Sequence, residues 1–173
     1  DDLFTYTKWS NQAVELKREK INLVHMLAQF TDEMSPVATE HDITVTTDFP
    51  KQAIEIWVDP AQLLRVFENL FYNALQHSKK PSPLHITLEE QRNQAKISFQ
   101  NRCHPISSED LPYLFERLYR LDKARSPDDA RTGLGLAIAK EIVFAHHGDI
   151  WAESDGEQIC FSILLPLTQQ DDQ

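Results

Sequence analysis

Apolar residues recur along this chain at two spacings, and each spacing predicts a different kind of secondary structure. Segments with apolar residues three or four positions apart, or bounded by helix-capping residues, predict helices over residues 21–39, 59–78, 109–120 and 133–147. Alternation of apolar and polar residues, with β-branched residues among the apolar ones, is typical of strands. It predicts strands over residues 41–49, 54–58, 84–90, 95–100, 150–154 and 158–165.

Residues at the ends of these segments support the predicted boundaries. Asn22 is a suitable N-terminal cap for the first helix. Asp59 followed by Pro60 begins the second helix, because an aspartate side chain caps free amides and proline fits the first helical position. Gly148 is predicted to be the C′ glycine that ends the last helix. The Asp-Gly pair at 155–156 predicts the turn of a closing hairpin.

The segments in between predict loops and, with the helices and strands, a fold class. Residues 79–83 carry two prolines, residues 101–108 show no regular pattern, and residues 122–132 are polar and charged, as expected of a mobile loop. Helices and strands are mixed without strict β–α–β alternation. We therefore expect an α+β fold, a two-layer α/β sandwich with helices on one face of a mixed sheet.

Composition narrows the class of protein. The chain has 173 residues, 41% of them hydrophobic, which suits one globular domain. Its 17 basic and 27 acidic residues give a net charge of −10, which argues against a nucleic-acid-binding protein. Two cysteines are too few for a disulfide scaffold, although a single bridge between Cys103 and Cys160 stays open.

Membrane segments and targeting signals are absent from the sequence pattern. No run of about 18 apolar residues is present, so no membrane-spanning helix is predicted. The chain begins at Asp1 without a methionine or a signal peptide, from which we expect a piece of a longer protein. A membrane receptor is compatible with such a piece.

A glycine-containing segment precedes the last predicted helix. Residues 132–138 contain Gly133 and Gly135 and follow the polar loop. Backbone amides at a helix N-terminus bind anions, because they lack partners and lie at the positive end of the helix dipole. Glycine lets a phosphate approach the backbone closely. Taken alone, the pattern fits a helix start without a ligand equally well.

Polar residues on the second predicted helix form another candidate site. Asn69 and Asn73 are four residues apart and share one helix face, on which we also expect the carboxylate of Glu68. Two carboxamides and a carboxylate suit Mg²⁺, which takes oxygen ligands and keeps bound waters. The alternative is an ordinary solvated helix face. A third segment, residues 114–120, combines Phe115 with two arginines suited to phosphate oxygens, but alone it predicts a surface helix.

Together these segments resemble the catalytic, ATP-binding domain of sensor histidine kinases. Residues 69–74 are similar to that family's N box, residues 115–120 to its F box and residues 132–138 to its G2 box, in the family's order. The resemblance covers residues 22–167. Residues 118–142 look most like the vancomycin-resistance sensor kinases. The resemblance implies a Bergerat-type ATP-binding fold with ATP and Mg²⁺ as cofactors.

The resemblance also implies roles for individual residues. Asn73 is the main Mg²⁺ ligand with Asn69 beside it, and Glu68 and Asn73 are the catalytic candidates. Residues 122–132 correspond to the lid that closes over ATP. The residues implied to bind the nucleotide are Asn69, Asn73, His77, Lys79, Asn101, Arg117, Arg120, Thr132, Gly133, Leu134, Gly135 and Leu136.

One segment departs from the family pattern. The family's G1 box reads Asp-x-Gly-x-Gly, whereas this chain has Asn101, Cys103 and Pro105 at those positions. Asn101 still accepts a hydrogen bond from the adenine amino group through its carbonyl oxygen. The missing glycines leave a catalytically impaired signalling module open as an alternative. In the N box, Gln76 stands where a basic residue is usual; Lys79 supplies that charge or is merely solvated.

None of the histidines has the sequence context of a phosphoacceptor. His41 is followed by Asp42, as in the acceptor motif, but the next residues have a strand pattern. His146 and His147 are adjacent and do not share a helix face, so they do not predict a metal site. We therefore expect the phosphoacceptor to lie on a separate helical domain that is absent here.

These features lead to one expected function and domain layout. Residues 1–20 are expected to be the end of the dimerisation helix and a linker, residues 21–167 the ATP-binding catalytic domain, and residues 168–173 a disordered tail. The expected partners are the dimerisation and phosphoacceptor domain of the same protein and a response regulator. The parent protein is expected to be a membrane-bound homodimer with this domain on the cytoplasmic side, and this fragment a monomer. A gyrase- or chaperone-like ATPase is a further alternative, which lacks the 115–120 pattern.

Overall fold

A computed structural model of the chain describes residues 15–116 and 134–168. Its elements in chain order are β1 (Glu19–Asn22), α1 (Leu23–Glu40), β2 (Ile43–Asp48), β3 (Glu55–Val58), α2 (Pro60–His77), β4 (Ser82–Gln91), β5 (Gln94–Arg102), a 3₁₀ helix (Leu111–Phe115), α3 (Gly135–Ala145), β6 (Asp149–Ser154) and β7 (Gln158–Pro166). Most of the predicted dimerisation-helix segment, the predicted lid at 122–132 and residues 169–173 lie outside the described residues.

The main sheet has five strands in the order β2-β4-β5-β7-β6. β2 pairs parallel to β4, and the other neighbours pair antiparallel, so the sheet is mixed as predicted. A separate two-stranded sheet joins β1 to β3. Lys20, which the predicted layout gave to the linker, lies in β1 and pairs with Trp57.

Helices cover one face of this sheet, and an aromatic cluster joins the two layers. The ring of Phe30 on α1 lies 5.8 Å from that of Phe67 and 5.9 Å from that of Phe71, both on α2. Phe67 in turn lies 6.2 Å from Phe99 on β5. Each of these rings buries a large apolar surface, which dominates core energetics. The cluster therefore holds the apolar face of α2 against the sheet. The polar face of α2, which carries Asn69 and Asn73, points away from the sheet.

The predicted N-terminal caps of the first two helices are confirmed, although the first helix begins at Leu23 rather than at residue 21. Asn22 Oδ1 accepts a hydrogen bond from the amide of Val24 at 3.1 Å, at the start of α1. Asp59 Oδ1 accepts one from the amide of Gln62 at 3.2 Å, with Pro60 at the first helical position of α2. Both caps satisfy amides that a helix leaves without partners.

The helix predicted over residues 109–120 is wrong. Of its described part, residues 109–116, only Leu111–Phe115 are helical, as a 3₁₀ turn, and Glu116 is extended with φ −79° and ψ 148°. No side chain caps the turn at Asp110, and a helix this short does not form on its own propensity. The turn is held instead by burial, with the ring of Phe115 edge-on to Phe161 at 5.9 Å.

Strands β4 and β5 each extend two residues into a segment that was predicted to be irregular. β4 begins at Ser82, inside the predicted 79–83 loop, because Ser82 pairs with Ile43 of β2. β5 continues to Arg102, so Asn101 lies in a strand rather than in an irregular segment. The pairing of Asn101 with Ile159 and of Arg102 with Gln158 supplies the backbone hydrogen bonds that local sequence did not predict.

At the end of α3 the residue in the left-handed conformation is not the one that was predicted. His147 has φ 60° and donates from its backbone amide to Phe144 O at 2.9 Å, while the Gly148 amide donates to Val143 O at 2.9 Å. This is a Schellman motif with His147, not Gly148, at C′. Gly148 is needed for a different reason, because a β-carbon there would lie 2.3 Å from Leu164 O.

The structure also bears on the possible disulfide bond and on membrane-spanning helices. Cys103 and Cys160 are free thiols, so the single bridge left open by the sequence is not formed. None of the helices in 15–116 and 134–168 combines the length and the apolar character that crossing a bilayer requires.

Candidate functional site

The predicted N-box and G2-box segments meet in the structure. α2 and α3 pack side by side, and a β-carbon on Gly135 would lie 3.8 Å from Cγ and from Oδ1 of Asn69. At the opposite ends of the helices, the backbone amide of Asp59 donates to Nε2 of His146 at 3.0 Å. The helices are therefore antiparallel, and the start of α3 lies beside the middle of α2.

Asn69 carries an unsatisfied donor at this junction. Its Nδ2 is buried and has no hydrogen-bond partner among the described residues. A buried donor without a partner costs about 1–3 kcal/mol, so such an atom is expected to have a ligand to bind. An amide donor is suited to an anionic oxygen, such as one of a phosphate.

The start of α3 offers further donors next to Asn69. Leu134 precedes the helix and is buried, and its side chain makes no capping hydrogen bond. The first amides of a helix have no intrahelical acceptor, so those of Gly135 and Leu136 are suited to bind an anion. Because Gly135 has no side chain, it leaves the helix start open on the side of Asn69. This junction fits the phosphate end of a nucleotide.

Asn73 and Glu68 lie on either side of Asn69 in α2, but on different faces of the helix. Asn73 is partly buried and lies one turn further along the same stripe. Glu68 is also partly buried but precedes Asn69 by one residue, which places it about 100° around the helix. The prediction that Glu68 shares one face with both carboxamides is therefore wrong, because neighbouring helix residues point apart. The arrangement of Asn69 and Asn73 is compatible with oxygen ligation of Mg²⁺.

Asn101 lies at the other end of the site. Asn101 is 4% exposed, and its Nδ2 donates to Ser78 Oγ at 2.8 Å and to Arg102 O at 2.9 Å. The chain just after α2 runs along β5, with the Lys79 amide donating to Arg102 O at 3.1 Å. His77 and the side chain of Lys79 are exposed at this end. From Asn69 to Ser78 the site extends about 14 Å along α2.

The segment that departs from the family pattern has an ordinary backbone. No described residue at 101–105 has a positive φ, so no glycine is required there. Cys103 is buried: its amide donates to Glu157 O at 2.9 Å, and its Sγ lies 3.7 Å from Ser154 Oγ. The β6–β7 hairpin thus accommodates the side chain that replaces glycine. This removes one reason for expecting an impaired site, the need for a backbone conformation that only glycine adopts easily.

Four predicted residues fall outside the description of the site. Arg117, Arg120, Thr132 and Gly133 lie between Glu116 and Leu134, outside the described residues.

Two residues that the sequence did not single out belong to the site or its support. Ser78 binds Asn101, and His146 joins α3 to the N-terminal cap of α2. No local sequence signal marks either contact, because the partners are 23 and 87 residues apart.

Sequence comparisons match the chain to a known family of ATPases. The model of the family described as histidine kinase-, DNA gyrase B- and HSP90-like ATPase matches residues 58–169. The sensor protein VanS of Enterococcus faecium is 38% identical over 166 residues, which cover 96% of this chain and 43% of VanS. The chain thus spans less than half of this relative. The predicted resemblance to the vancomycin-resistance sensor kinases is confirmed by this relative.

Solved structures contain the same fold. Full-length ShkA in complex with AMPPNP superposes with a TM-score of 0.85 at 20% identity, covering 98% of this chain and 35% of ShkA. The histidine kinase ThkA in complex with the response regulator protein TrrA gives a TM-score of 0.80 at 20% identity, covering 96% of this chain and 46% of ThkA. The predicted α+β two-layer fold is confirmed.

Proposed function

Because the chain belongs to the histidine kinase-, DNA gyrase B- and HSP90-like ATPase family, we propose that it binds ATP along α2 and the N-terminus of α3. In this proposal it is the catalytic domain of a two-component sensor histidine kinase. It directs the γ-phosphoryl group of ATP to a histidine on a separate helical domain. The observation that carries the proposal is Asn69 Nδ2, which is buried without a partner among the described residues, beside Gly135.

The phosphates occupy the Asn69 end of the site. Asn69 Nδ2 donates to a phosphate oxygen, and the amides of Gly135 and Leu136 bind the same group. Binding satisfies donors that folding alone leaves unpaired, and the helix dipole adds to it. Gly133, Leu134 and Thr132 extend this cradle, and Arg117 and Arg120 pair with the outer phosphate oxygens.

Mg²⁺ lies at the same end. No group of three or more His, Cys, Asp or Glu side chains among residues 15–116 and 134–168 forms a metal site of its own. Mg²⁺ is commonly held by one or two protein oxygens together with substrate phosphates and waters. The oxygens from this chain are Oδ1 of Asn73 and Oδ1 of Asn69. The bound ion supplies positive charge that offsets the charge of the phosphates.

The adenine base occupies the Asn101 end. Nδ2 of Asn101 is engaged by Ser78 and Arg102, and none of the hydrogen bonds found among the described residues uses its Oδ1. Oδ1 therefore accepts a hydrogen bond from the adenine amino group. His77 and Lys79 border the nucleotide from the end of α2. The distance of about 14 Å between Asn69 and Ser78 separates the base from the phosphates.

The rest of the reaction requires other domains. The acceptor histidine belongs to the dimerisation domain of the same protein, to which residues 1–20 lead, and the phosphoryl group then passes to a response regulator. The parent protein is a membrane-bound homodimer with this domain on the cytoplasmic side, and the domain by itself is a monomer. Glu68 acts in the transfer step: Glu68→Gln is expected to slow phosphorylation of the acceptor without weakening ATP binding.

Calorimetry with ATP and Mg²⁺ tests the binding step. The 173-residue chain is expected to bind, and Asn73→Ala to weaken binding at least tenfold, the effect of losing a charge-assisted contact of about 1.5–3 kcal/mol. Gln29→Ala, which removes an exposed carboxamide from α1, is the matched control and should bind as wild type does. Absence of binding at millimolar ATP in a folded protein would contradict the proposal.

Phosphotransfer tests the second step. Adding the separately purified dimerisation domain of the parent protein with ATP and Mg²⁺ should produce acid-labile phosphohistidine on that domain. The reaction should be absent with Asn73→Ala. Binding of ATP without transfer to the dimerisation domain would restrict the function to nucleotide binding.

A further inference from the structure

The hydroxyl group of Ser78 has its proton committed. Ser78 Oγ donates to Ala74 O at 2.5 Å, one turn back on α2, and the Ser78 amide donates to the same carbonyl at 3.0 Å. A hydroxyl group has one hydrogen to donate and two lone pairs to accept with. With its hydrogen directed to Ala74 O, Ser78 Oγ is an acceptor towards every other neighbour.

This commitment determines the orientation of the Asn101 side chain. The group that faces Ser78 Oγ must be a donor, so it is Nδ2 of Asn101, at 2.8 Å. The second hydrogen of Nδ2 points to Arg102 O at 2.9 Å. Turning the amide by 180° would place Oδ1 against two acceptors, and both hydrogen bonds would be lost. Asn101 is 4% exposed and Ser78 is 7% exposed, so water does not replace those bonds easily.

We propose that Ser78 is a positioning residue that determines which base the site accepts, a proposal that rests on the ATP-binding function above. By holding Nδ2 of Asn101, Ser78 leaves Oδ1 as the only group of that side chain that meets the base. An acceptor there favours a base with an exocyclic amino group, as in adenine, and opposes a base with a carbonyl oxygen at the same place, as in guanine. A carboxamide has one donor end and one acceptor end, so its orientation decides the choice.

The neighbouring backbone strengthens this role. Ser78 forms an isolated antiparallel bridge with Cys103, and the Lys79 amide donates to Arg102 O. The end of α2 and the end of β5 are therefore held together by the backbone as well as by the two side chains. The contact between Ser78 and Asn101 has a fixed geometry, which a base-selecting contact requires.

Competition between ATP and GTP, each with Mg²⁺, tests the proposal on the 173-residue chain. Wild type is expected to prefer ATP. In Ser78→Ala only the bond to Arg102 O still orients the Asn101 amide. The ratio of the GTP dissociation constant to the ATP dissociation constant should therefore fall by about five- to tenfold, corresponding to one lost hydrogen bond. Ser78→Thr retains the hydroxyl group and should restore the ratio. A purely structural role of Ser78 would weaken both nucleotides equally and leave the ratio unchanged.

Two further results keep the test decisive. Ser78→Cys, which has nearly the same volume but a weak acceptor, covers the case in which Ser78→Ala fails to fold, and it should also lower the ratio. An unchanged ratio in a folded Ser78→Ala or Ser78→Cys variant that still binds ATP overturns the proposal. If wild type binds neither nucleotide, the ATP-binding function itself has failed, which is a different result from an unchanged ratio.

Discussion

The backbone amide of Asp59 donates a hydrogen bond to Nε2 of His146 at 3.0 Å, and this contact joins the start of α2 to the end of α3. The other ring nitrogen of His146 donates to Ile142 O at 2.8 Å, so the imidazole is neutral with its proton on Nδ1. Two residues just before β1, Lys17 and Arg18, also bind to this junction of α2 and α3. The Lys17 amide donates to Asp59 Oδ2 at 3.0 Å, and Arg18 donates to Ala145 O at 3.3 Å.

Stability is expected to depend on the neutral state of His146. Burial, the largest cause, and the nearby positive charge of Arg18 lower the pKa of His146, against opposing effects of the Ile142 carbonyl and the Asp59 carboxylate. The unfolded chain, with a histidine pKa of about 6.5, therefore binds more protons than the folded one. The contribution of His146 to stability is complete above about pH 6.5 and is lost as the pH falls towards the lower, folded pKa.

Urea unfolding at pH 7.5 and at pH 5.5 measures this effect. The loss of unfolding free energy between the two pH values should be smaller in His146→Gln than in wild type. His25→Gln, which changes an exposed histidine on α1, is the control and should keep the wild-type difference. An equal pH dependence in wild type and His146→Gln would show that His146 is not the group responsible.

Gly148 is expected to be intolerant of any side chain. In Gly148→Ala the β-carbon would lie 2.3 Å from Leu164 O, a backbone atom that cannot move aside cheaply. We expect a loss of about 1–3 kcal/mol of unfolding free energy, the usual cost of overpacking. Gly135→Ala is the comparison, because its β-carbon would meet only ordinary contacts at 3.8 Å or more. Similar losses in both variants would contradict the steric explanation.

Asn69 is expected to be retained for binding at the expense of stability. Asn69→Leu removes a buried donor that has no partner, so the unfolding free energy should stay the same or rise by about 1–2 kcal/mol. The same variant should lose binding of ATP with Mg²⁺. Thermal unfolding and calorimetry on one preparation provide both values.

Gln62→Leu is the matched control for that variant. Gln62 Oε1 is also buried without a partner among the described residues, but it lies about 10 Å along α2 from Asn69. Gln62→Leu should therefore match Asn69→Leu in stability while keeping wild-type binding. A marked loss of stability in Asn69→Leu would indicate a structural role for its amide.

The sequence predicted the parts of the fold that depend on local chemistry. The caps Asn22 and Asp59 mark helix starts, since a cap acts on amides two or three residues away. The failures depend on distant contacts. The 3₁₀ turn at Leu111–Phe115 is held by Phe161, and the start of β4 is set by its pairing with Ile43 of β2. Neither partner can be recognised from the local pattern.

In the candidate site, too, the features set by local helix geometry were predicted and those set by distant contacts were not. The four-residue spacing of Asn69 and Asn73 is visible in the sequence because helix geometry alone places them on one face. The closeness of Asn69 to Gly135 depends on the packing of α2 against α3. The contact of Asn101 with Ser78 depends on the pairing of the chain after α2 with β5. The sequence identified Asn101 from a resemblance but not the residue that orients it.

The most direct test of the account is a titration of the ¹⁵N-labelled chain with AMPPNP and Mg²⁺, followed by nuclear magnetic resonance. The side-chain Nδ2 signals of Asn69 and the backbone signals of Gly135 and Leu136 should shift together with the same dissociation constant, and the signals of Asn101 should shift with them. Binding that shifts signals elsewhere but leaves Asn69 Nδ2 and Gly135 unchanged would contradict the proposed site.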